Sequence, residues 1–247
     1  MTWEAVSAGS DQRPANNLLR HLSENDFDLL APHLEYAELA SNQVLYHPGD
    51  DVDVAYFPCG PSLASHIVSI EDGREVEAVL IGREGAVGGI VSRGYLPAYS
   101  RAIVKFGGPF VRVSVEKLEA AKLHSPSLRD AFTRYATCLL AQLLQSTACN
   151  AVHSIERRTA KWIISAMERN EGADVVPLTH EQLATMLGVG RSYASRVILA
   201  LKEEGIVETR RGAILVRDRA ALHRRSCRCE ASVLAHFEDV LDGIYLK

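Results

Sequence analysis

The stretch PLTHEQLATMLGVGRSYASRVILALKEEGIVETRRGAILVRD, residues 177–218, leaves the chain fewer options than any other part of it. Thr179 followed three residues on by Gln182 forms a capping-box pattern, in which each side chain satisfies the other's orphan backbone N–H, so a helix starts there. Leu183, Ala184 and Leu187 supply its inner face. Gly188 stands three residues before Arg191, where the chain must turn sharply, and glycine enters the left-handed region without a Cβ penalty. The turn Gly188-Val189-Gly190 is predicted to tuck Val189 into the core between two helices. The second helix then buries Ala194, Val197, Ile198 and Leu201 and leaves Arg191, Ser192, Tyr193, Ser195 and Arg196 on its other face. Two short strands about Arg211-Gly212 complete the order and length of a winged helix-turn-helix.

That outer face has the chemistry of a base reader. An arginine can make a bidentate bond to guanine O6 and N7, discriminating by about 1–3 kcal/mol, and hydroxyls serve phosphate or base edges. Arg191, Ser192, Tyr193, Ser195 and Arg196, with Thr179 at the first helix start and Arg210 and Arg211 in the hairpin, are therefore the candidate DNA-binding residues. Helical pairs joined by a glycine turn also occur in all-α proteins that never touch DNA. Such a pair explains neither the outward arginines nor the charge. The chain totals −4, yet residues 1–125 carry 10 Lys and Arg against 17 Asp and Glu, net −7, while residues 156–225 carry 13 against 9, net +4. Binding follows local fields rather than the total, so only the basic half suits phosphate.

From Val44 to Val115, short β-prone runs (VLYH, VAYF, SHIVSI, VEAVLI, AIVKF, FVRVSV) alternate with Pro-Gly, Asp-Gly and Gly-Gly signals, the punctuation of a β-barrel or roll. Asp72-Gly73 predicts a tight primed hairpin turn. A short helix near Ser23–Leu34 precedes the roll, with Ser23 or Asn25 as its cap. Beyond Ser125-Pro126 the texture changes. Leu128 to His153 contains no Gly or Pro and repeats Leu128, Phe132, Tyr135, Leu139, Leu143 and Leu144 at helical spacing. So long and weakly charged a helix needs an apolar partner; a second copy of itself is the economical one, and its own β-roll is the alternative. Glu156 to Arg169 reads as another helix with Trp162, Ile163, Ala166 and Met167 inward. The final stretch, Ala231 to Leu246, sets Val233, Leu234, Phe237, Val240, Leu241 and Ile244 on one buried face, expected to pack on the dimer or the DNA-binding domain, with a partner-binding helix as the alternative. The expected class is α+β: a β-roll over 1–125, a long dimerisation helix over 126–155, a winged helix-turn-helix over 156–223 and a helical extension over 224–247.

In this order of elements, and most specifically in LTHEQLATMLGVGRSYASRVILALKEEGIV, RRGAILVRDRAAL and the upstream CNAVHSIERRTAKWI, the sequence resembles the Crp/Fnr transcription regulators. The resemblance covers nearly the whole chain and implies a cyclic-nucleotide-binding-like β-roll and a homodimer on a near-palindromic double-stranded DNA operator, one recognition helix per major-groove half-site. RNA polymerase is a candidate further partner. By motif position Arg191 and Arg196 fall where the family's DNA-contacting arginines lie. Ser192 falls where many members have Glu, which puts the familiar base preference there in doubt, since a hydroxyl does not accept from cytosine as a carboxylate does. The ligand cassette of cyclic-nucleotide-binding members maps onto GREGAVGGIVSRGYLPAYSRAIV: Gly88 matches the ribose Gly, and Arg101 with Ala102 the phosphate grip. Gly89, however, stands where Glu is expected, and Leu143 and Leu144 occupy the base-contacting positions. The reading is a regulator that is not controlled by cyclic AMP and whose effector is unassigned. The alternative is a cyclic-nucleotide- or dinucleotide-responsive regulator using the roll pocket.

Other classes find less support. No apolar run reaches the length of a bilayer span, and the N-terminus lacks a basic-then-apolar signal pattern, so a cytoplasmic protein is expected. Gly82-Arg83-Glu84-Gly85 lacks the strand-to-helix context of a dinucleotide fingerprint, no nucleophile elbow appears, and no catalytic residues are assigned. The cysteines, at 59, 138, 149, 227 and 229, are odd in number and scattered, the usage of reduced thiols. An iron–sulfur sensor of the family would need cysteines near the N-terminus, and nine histidines single out no haem ligand. His223, Cys227 and Cys229 are close enough to share a metal, but three ligands over seven residues without a fourth do not make a site, so neither metal nor cofactor is expected.

Overall fold

The computed structural model describes residues 13–88, 95–169 and 172–245, and the chain divides into two compact units. The first takes in the described residues up to His66, Leu80–Ala141 and those from Leu234 on; the second takes in Ile67–Val79 and Gln142–Val233.

Helices α1 (Asn17–His21) and α2 (Glu24–Leu30) lead into strands β1 (Glu35–Leu39), β2 (Val44–Tyr46), β3 (Val54–Pro58), β4 (Leu63–Ser69), β5 (Glu75–Ile81), β6 (Arg101–Phe106) and β7 (Gly108–Ser114). They form two sheets, ordered β1-β7-β3 and β2-β6-β4-β5, the expected roll. Alternate residues face inward as the pleat requires: Ala55 and Phe57 of β3, and their partners Val113 and Val111 of β7, are sealed from solvent. Ser23, rather than Asn25, caps α2, accepting from Asp26 N. The helix α1 before it was not foreseen, nor was α3 (Val115–His124) after the roll. The β4–β5 turn also departs from the primed form. Ile70 N donates to Arg74 O and Gly73 N to Ile70 O, a three-residue loop in which Gly73 alone takes positive φ, 79°, while Asp72 Oδ1 accepts from Arg74 N. A type I turn closed by one left-handed glycine needs only that glycine.

Helix α4 (Pro126–Val152) is the long helix. Its start is fixed by Ser125, whose hydroxyl accepts from Leu128 N and donates to Asp26, a carboxylate that Ser127 also reaches. Leu128, Phe132, Tyr135 and Cys138 are buried, and Tyr135 Oη donates to Ala86 O at 3.0 Å, so this stretch packs on its own roll. The tail lies there too. Phe237 meets the Tyr135 ring edge-on at 6.4 Å and Asn17 Nδ2 donates to Ile244 O at 2.6 Å. From Leu234 on the tail thus belongs to the first unit, a correction to the expectation that it packs on the DNA-binding domain; of the residues on its apolar face, Val233 falls in the second unit. Tyr135 supplies an aromatic shelf that helical periodicity in the tail could not reveal.

The second unit continues α4 into α5 (Ile155–Arg169), β8 (Val175–Val176), α6 (His180–Leu187), α7 (Arg191–Glu203), β9 (Val207–Arg210), β10 (Ala213–Val216), α8 (Arg219–Arg225) and the first turn of α9 (Cys229–Val240). Its sheet runs β8-β10-β9, all antiparallel. Trp162, Ile163, Ala166 and Met167 are buried as expected.

Candidate nucleic-acid interface

The first helix of the pair opens on the capping box read from sequence. Thr179 Oγ1 accepts from Gln182 N at 3.1 Å, and Gln182 Oε1 accepts from Thr179 N at 2.9 Å. The Thr179 hydroxyl is therefore engaged in the cap, although the residue is exposed. At the other end Gly188 takes φ 67° and ψ 35°, and its N–H and that of Val189 return to the last carbonyls of α6. This is the left-handed closure for which glycine is suited. Val189 is only half-buried, rather than tucked into the core as expected, whereas Met186 of α6 is at 2% exposure. Arg158 contributes from α5, its Nη2 donating to Leu187 O at 3.0 Å, a cation on orphan carbonyls at the negative end of a helix.

Helix α7 buries Ala194, Val197, Ile198 and Leu201, the four residues expected. Opposite them, Arg191, Ser192 and Arg196 are exposed. Arg191 stands 3.7 Å from Glu181, and the Arg196 guanidinium lies 5.1 Å above the Tyr193 ring, a stacking that pre-orients its planar fork. Tyr193 and Ser195 differ from this trio: both are half-buried and hydrogen-bonded to side chains of the neighbouring helices. The Tyr193 hydroxyl donates to Glu156 Oε1 at 3.0 Å, and that bond pushes the phenol pKa up, while Ser195 Oγ meets His180 Nδ1 at 3.0 Å. They brace the helix against α5 and α6. His180 and Glu156 were missed by sequence reasoning because neither lies on the outward face of the second helix.

The hairpin of β9 and β10 turns at Arg211-Gly212, with Arg210 paired to Ala213 in register and Gly212 at φ 74°. Arg210 and Arg211 are exposed; Arg210 lies 3.7 Å from Glu208, which Arg217 also holds. The second unit thus exposes two arginines and a hydroxyl on α7 and a basic hairpin tip, donors suited to base edges and phosphate.

The cassette residues are less convergent. Gly88 takes φ 90°, and a Cβ there would come within 2.6 Å of Val54 O, so the backbone of β3 explains this glycine without a ligand. Gly89 lies outside the described residues. Arg101 is half-buried at the start of β6; Ala102 is fully buried, opposite Tyr46. Glu84 is buried, and its Oε1 accepts from Gly82 N at 3.1 Å. Leu143 is half-buried and Leu144 is 63% exposed. His223 is exposed and does not join Cys227 and Cys229, which are buried.

Residues 157–225 match the family model of the Crp-like helix-turn-helix domain. The search of curated proteins finds no match. Among solved structures, FixK2 from Bradyrhizobium japonicum is 16% identical with a TM-score of 0.67, covering 78% of this chain and 98% of its own. TTHB099, a transcriptional regulator of the CRP family from Thermus thermophilus, is 18% identical with a TM-score of 0.65, covering 76% and 95%. The c-di-GMP responsive global regulator CLP of Xanthomonas campestris is 16% identical with a TM-score of 0.64, covering 79% and 100%. At these identities the likeness carries the fold.

Proposed function

Since the chain joins a Crp-like helix-turn-helix domain to the fold of the CRP/FNR transcription regulators, we propose that it works as a homodimer reading a near-palindromic operator, without control by cyclic AMP. The observation that carries this is the exposed set Arg191, Ser192 and Arg196 on α7, with Arg210 and Arg211 exposed at the hairpin of the same unit. Thr179, Tyr193 and Ser195 act at one remove, holding that face in position. No helix among the described residues is long and apolar enough to cross a membrane, in keeping with a regulator working in the cytoplasm beside RNA polymerase.

The dimer reading draws on α4. Thr133, Thr137, Leu140, Leu144, Thr147 and Ala151 are all exposed, recur at alternating intervals of four and three residues, and carry no charge. That is the seam of a two-helix coiled coil. Leu140 and Leu144, at 56% and 63% exposure, form its centre, whereas Leu139 and Leu143 are half-buried within the chain. Replacing Leu140 and Leu144 together with Glu is expected to give monomers in sedimentation and to weaken operator binding by about 10²-fold or more, the loss of avidity. An unchanged dimer would move the interface elsewhere.

Independence from cyclic AMP follows from linkage: a ligand shifts an equilibrium only by its preference between two states. With Gly89 in place of a carboxylate and leucines at 143 and 144, the groups that would supply that preference are missing. The test is operator selection from random duplexes, then titration with and without millimolar cyclic AMP. The expected change is below about threefold, roughly 0.7 kcal/mol; a tenfold gain would overturn this part of the reading. Cyclic di-GMP belongs in the same titration, because CLP is named for its response to it.

A further inference from the structure

Three thiols and an imidazole converge within the second unit, at a place the DNA-binding role leaves unused. Cys149 lies in the last turn of α4 and His153 just beyond it; Cys227 stands between α8 and α9, and Cys229 opens α9. Their ligand atoms all lie within 4.8 Å of one another. We propose that Cys149, His153, Cys227 and Cys229 bind one zinc ion that clasps the two ends of the helix-turn-helix domain together.

The distances carry the assignment. With Zn–S of about 2.3 Å and Zn–N of about 2.0–2.1 Å, tetrahedral angles separate two sulfurs by about 3.8 Å and a sulfur from a nitrogen by about 3.5 Å. Cys149 Sγ and Cys227 Sγ are 3.7 Å apart, and Cys229 Sγ and His153 Nδ1 are 3.5 Å apart. A cluster of several irons would spread its cysteine ligands around a larger core, so a single ion is the fit. Three sulfurs and one imidazole nitrogen suit zinc by ligand softness and number. Four protein ligands also leave no open coordination position, which makes the site structural rather than catalytic.

Charge and topology agree. A zinc ion with three thiolates and a neutral imidazole carries one negative charge. Lys161 and Arg158, at 4% and 7% exposure, are the buried cations of α5 that interact electrostatically with this group: Lys161 with Cys149, and Arg158 with Cys149 and Cys227. The ligands sit at 149 and 153 on one side of the Crp-like domain, residues 157–225, and at 227 and 229 on the other. One ion therefore closes the whole domain into a loop, and Arg158, which holds the C-terminus of α6, is shared between the clasp and the helix pair. His223, the histidine near these cysteines in sequence, is exposed and takes no part.

The test uses the full chain, purified reduced and without chelator. Elemental analysis is expected to find one zinc per chain. After the zinc is removed, cobalt(II) should saturate at one equivalent, with thiolate charge-transfer absorption and the intense visible bands of a tetrahedral centre. Cys227→Ser and His153→Ala should abolish or shift those bands, whereas Cys138→Ala, at a buried cysteine outside the cluster, should retain them. Removing zinc should lower the melting temperature and weaken operator binding, and adding it back should restore both. Folded, reduced wild-type chain that takes up no cobalt would overturn the proposal. So would unaltered bands in Cys227→Ser, or a freshly purified chain two hydrogens lighter with Cys149 and Cys227 joined as a disulfide. Should Cys227→Ser fail to fold, the cobalt titration of wild-type chain decides alone.

Discussion

Helix α5 buries Arg158, Lys161 and Arg169 to 7%, 4% and 1% exposure, whereas α7, in the same unit, leaves Arg191 and Arg196 in solvent. The side chains are of the same kind and their surroundings are opposite. Arg169 pairs with Glu230 inside the unit, and Ser165 Oγ donates to the same carboxylate at 3.0 Å. Arg158 is spent on the carbonyl of Leu187. Arg191 approaches Glu181 through its Nε and Arg196 lies over the Tyr193 ring, and both remain exposed. A buried cation must be matched or it costs several kcal/mol, while an exposed one is nearly neutral for stability and open to phosphate and base. The difference separates residues that hold the domain from residues that use it, and mutation can test each side.

The largest effect is expected at the buried pair. Glu230→Gln or Arg169→Ala should each lower stability by about 3–5 kcal/mol, because removal of one partner strands the other's polarity in the interior. Chemical denaturation measures it, and a loss under about 1 kcal/mol would mean water reaches the pair. Acid provides a second readout. Burial opposes the charge of Glu230, but Arg169 and then Lys161 and Ser165 outweigh it and hold the carboxyl below its ordinary value. A depressed folded pKa gives stability that is present above the unfolded value and lost as pH falls through the folded one. The Glu230→Gln chain should therefore lack that part of the wild-type decline below the ordinary carboxylate range. Asp26, in the other unit, contributes a similar decline, since three serine hydroxyls overcome its burial.

Arg158→Ala should come next, at about 1.5–3 kcal/mol for a hydrogen bond from a charged group. Its loss frees the end of α6, so the helix pair should loosen, seen as faster amide exchange at Met186 and Leu187 and not in the β-roll. Equal exchange in both units would show that Arg158 supports the whole chain rather than this one junction.

These contrasts also mark how far sequence carried the reading. The capping box at Thr179 and Gln182, the left-handed Gly188 and the four inward residues of α7 were legible because each is set by neighbours within a turn or two. The net charge of +4 over residues 156–225 was legible as a sum and misleading as a surface, since Arg158, Lys161 and Arg169 face inward. Nothing in the helical pattern of α5 separates a buried arginine from an exposed one; Glu230, some 60 residues on, does. The same holds for the cysteines. Cys149 and His153 at a helical interval of four, set beside a Cys-x-Cys at 227, formed a signal, but only the closure of the domain brings the two halves together.

The smallest effects belong to α7 and the hairpin, and they separate two kinds of outward arginine. Arg196→Ala should change stability by no more than about 0.5 kcal/mol, as a surface substitution does. It should weaken specific binding by about 1–3 kcal/mol, with relaxed preference at one base pair of each half-site. Arg210→Ala and Arg211→Ala, at an exposed tip beside Glu208, should weaken binding alike on every sequence and reduce the salt slope by about one unit each, the mark of a phosphate contact. Measuring each variant on the selected operator and on a scrambled duplex, at several salt concentrations, distinguishes the two. Should Arg196→Ala weaken both duplexes equally with a shallower slope, stacking on Tyr193 would be aiming the guanidinium at the backbone, and base reading would fall to Arg191 and Ser192 at the first turn of the helix.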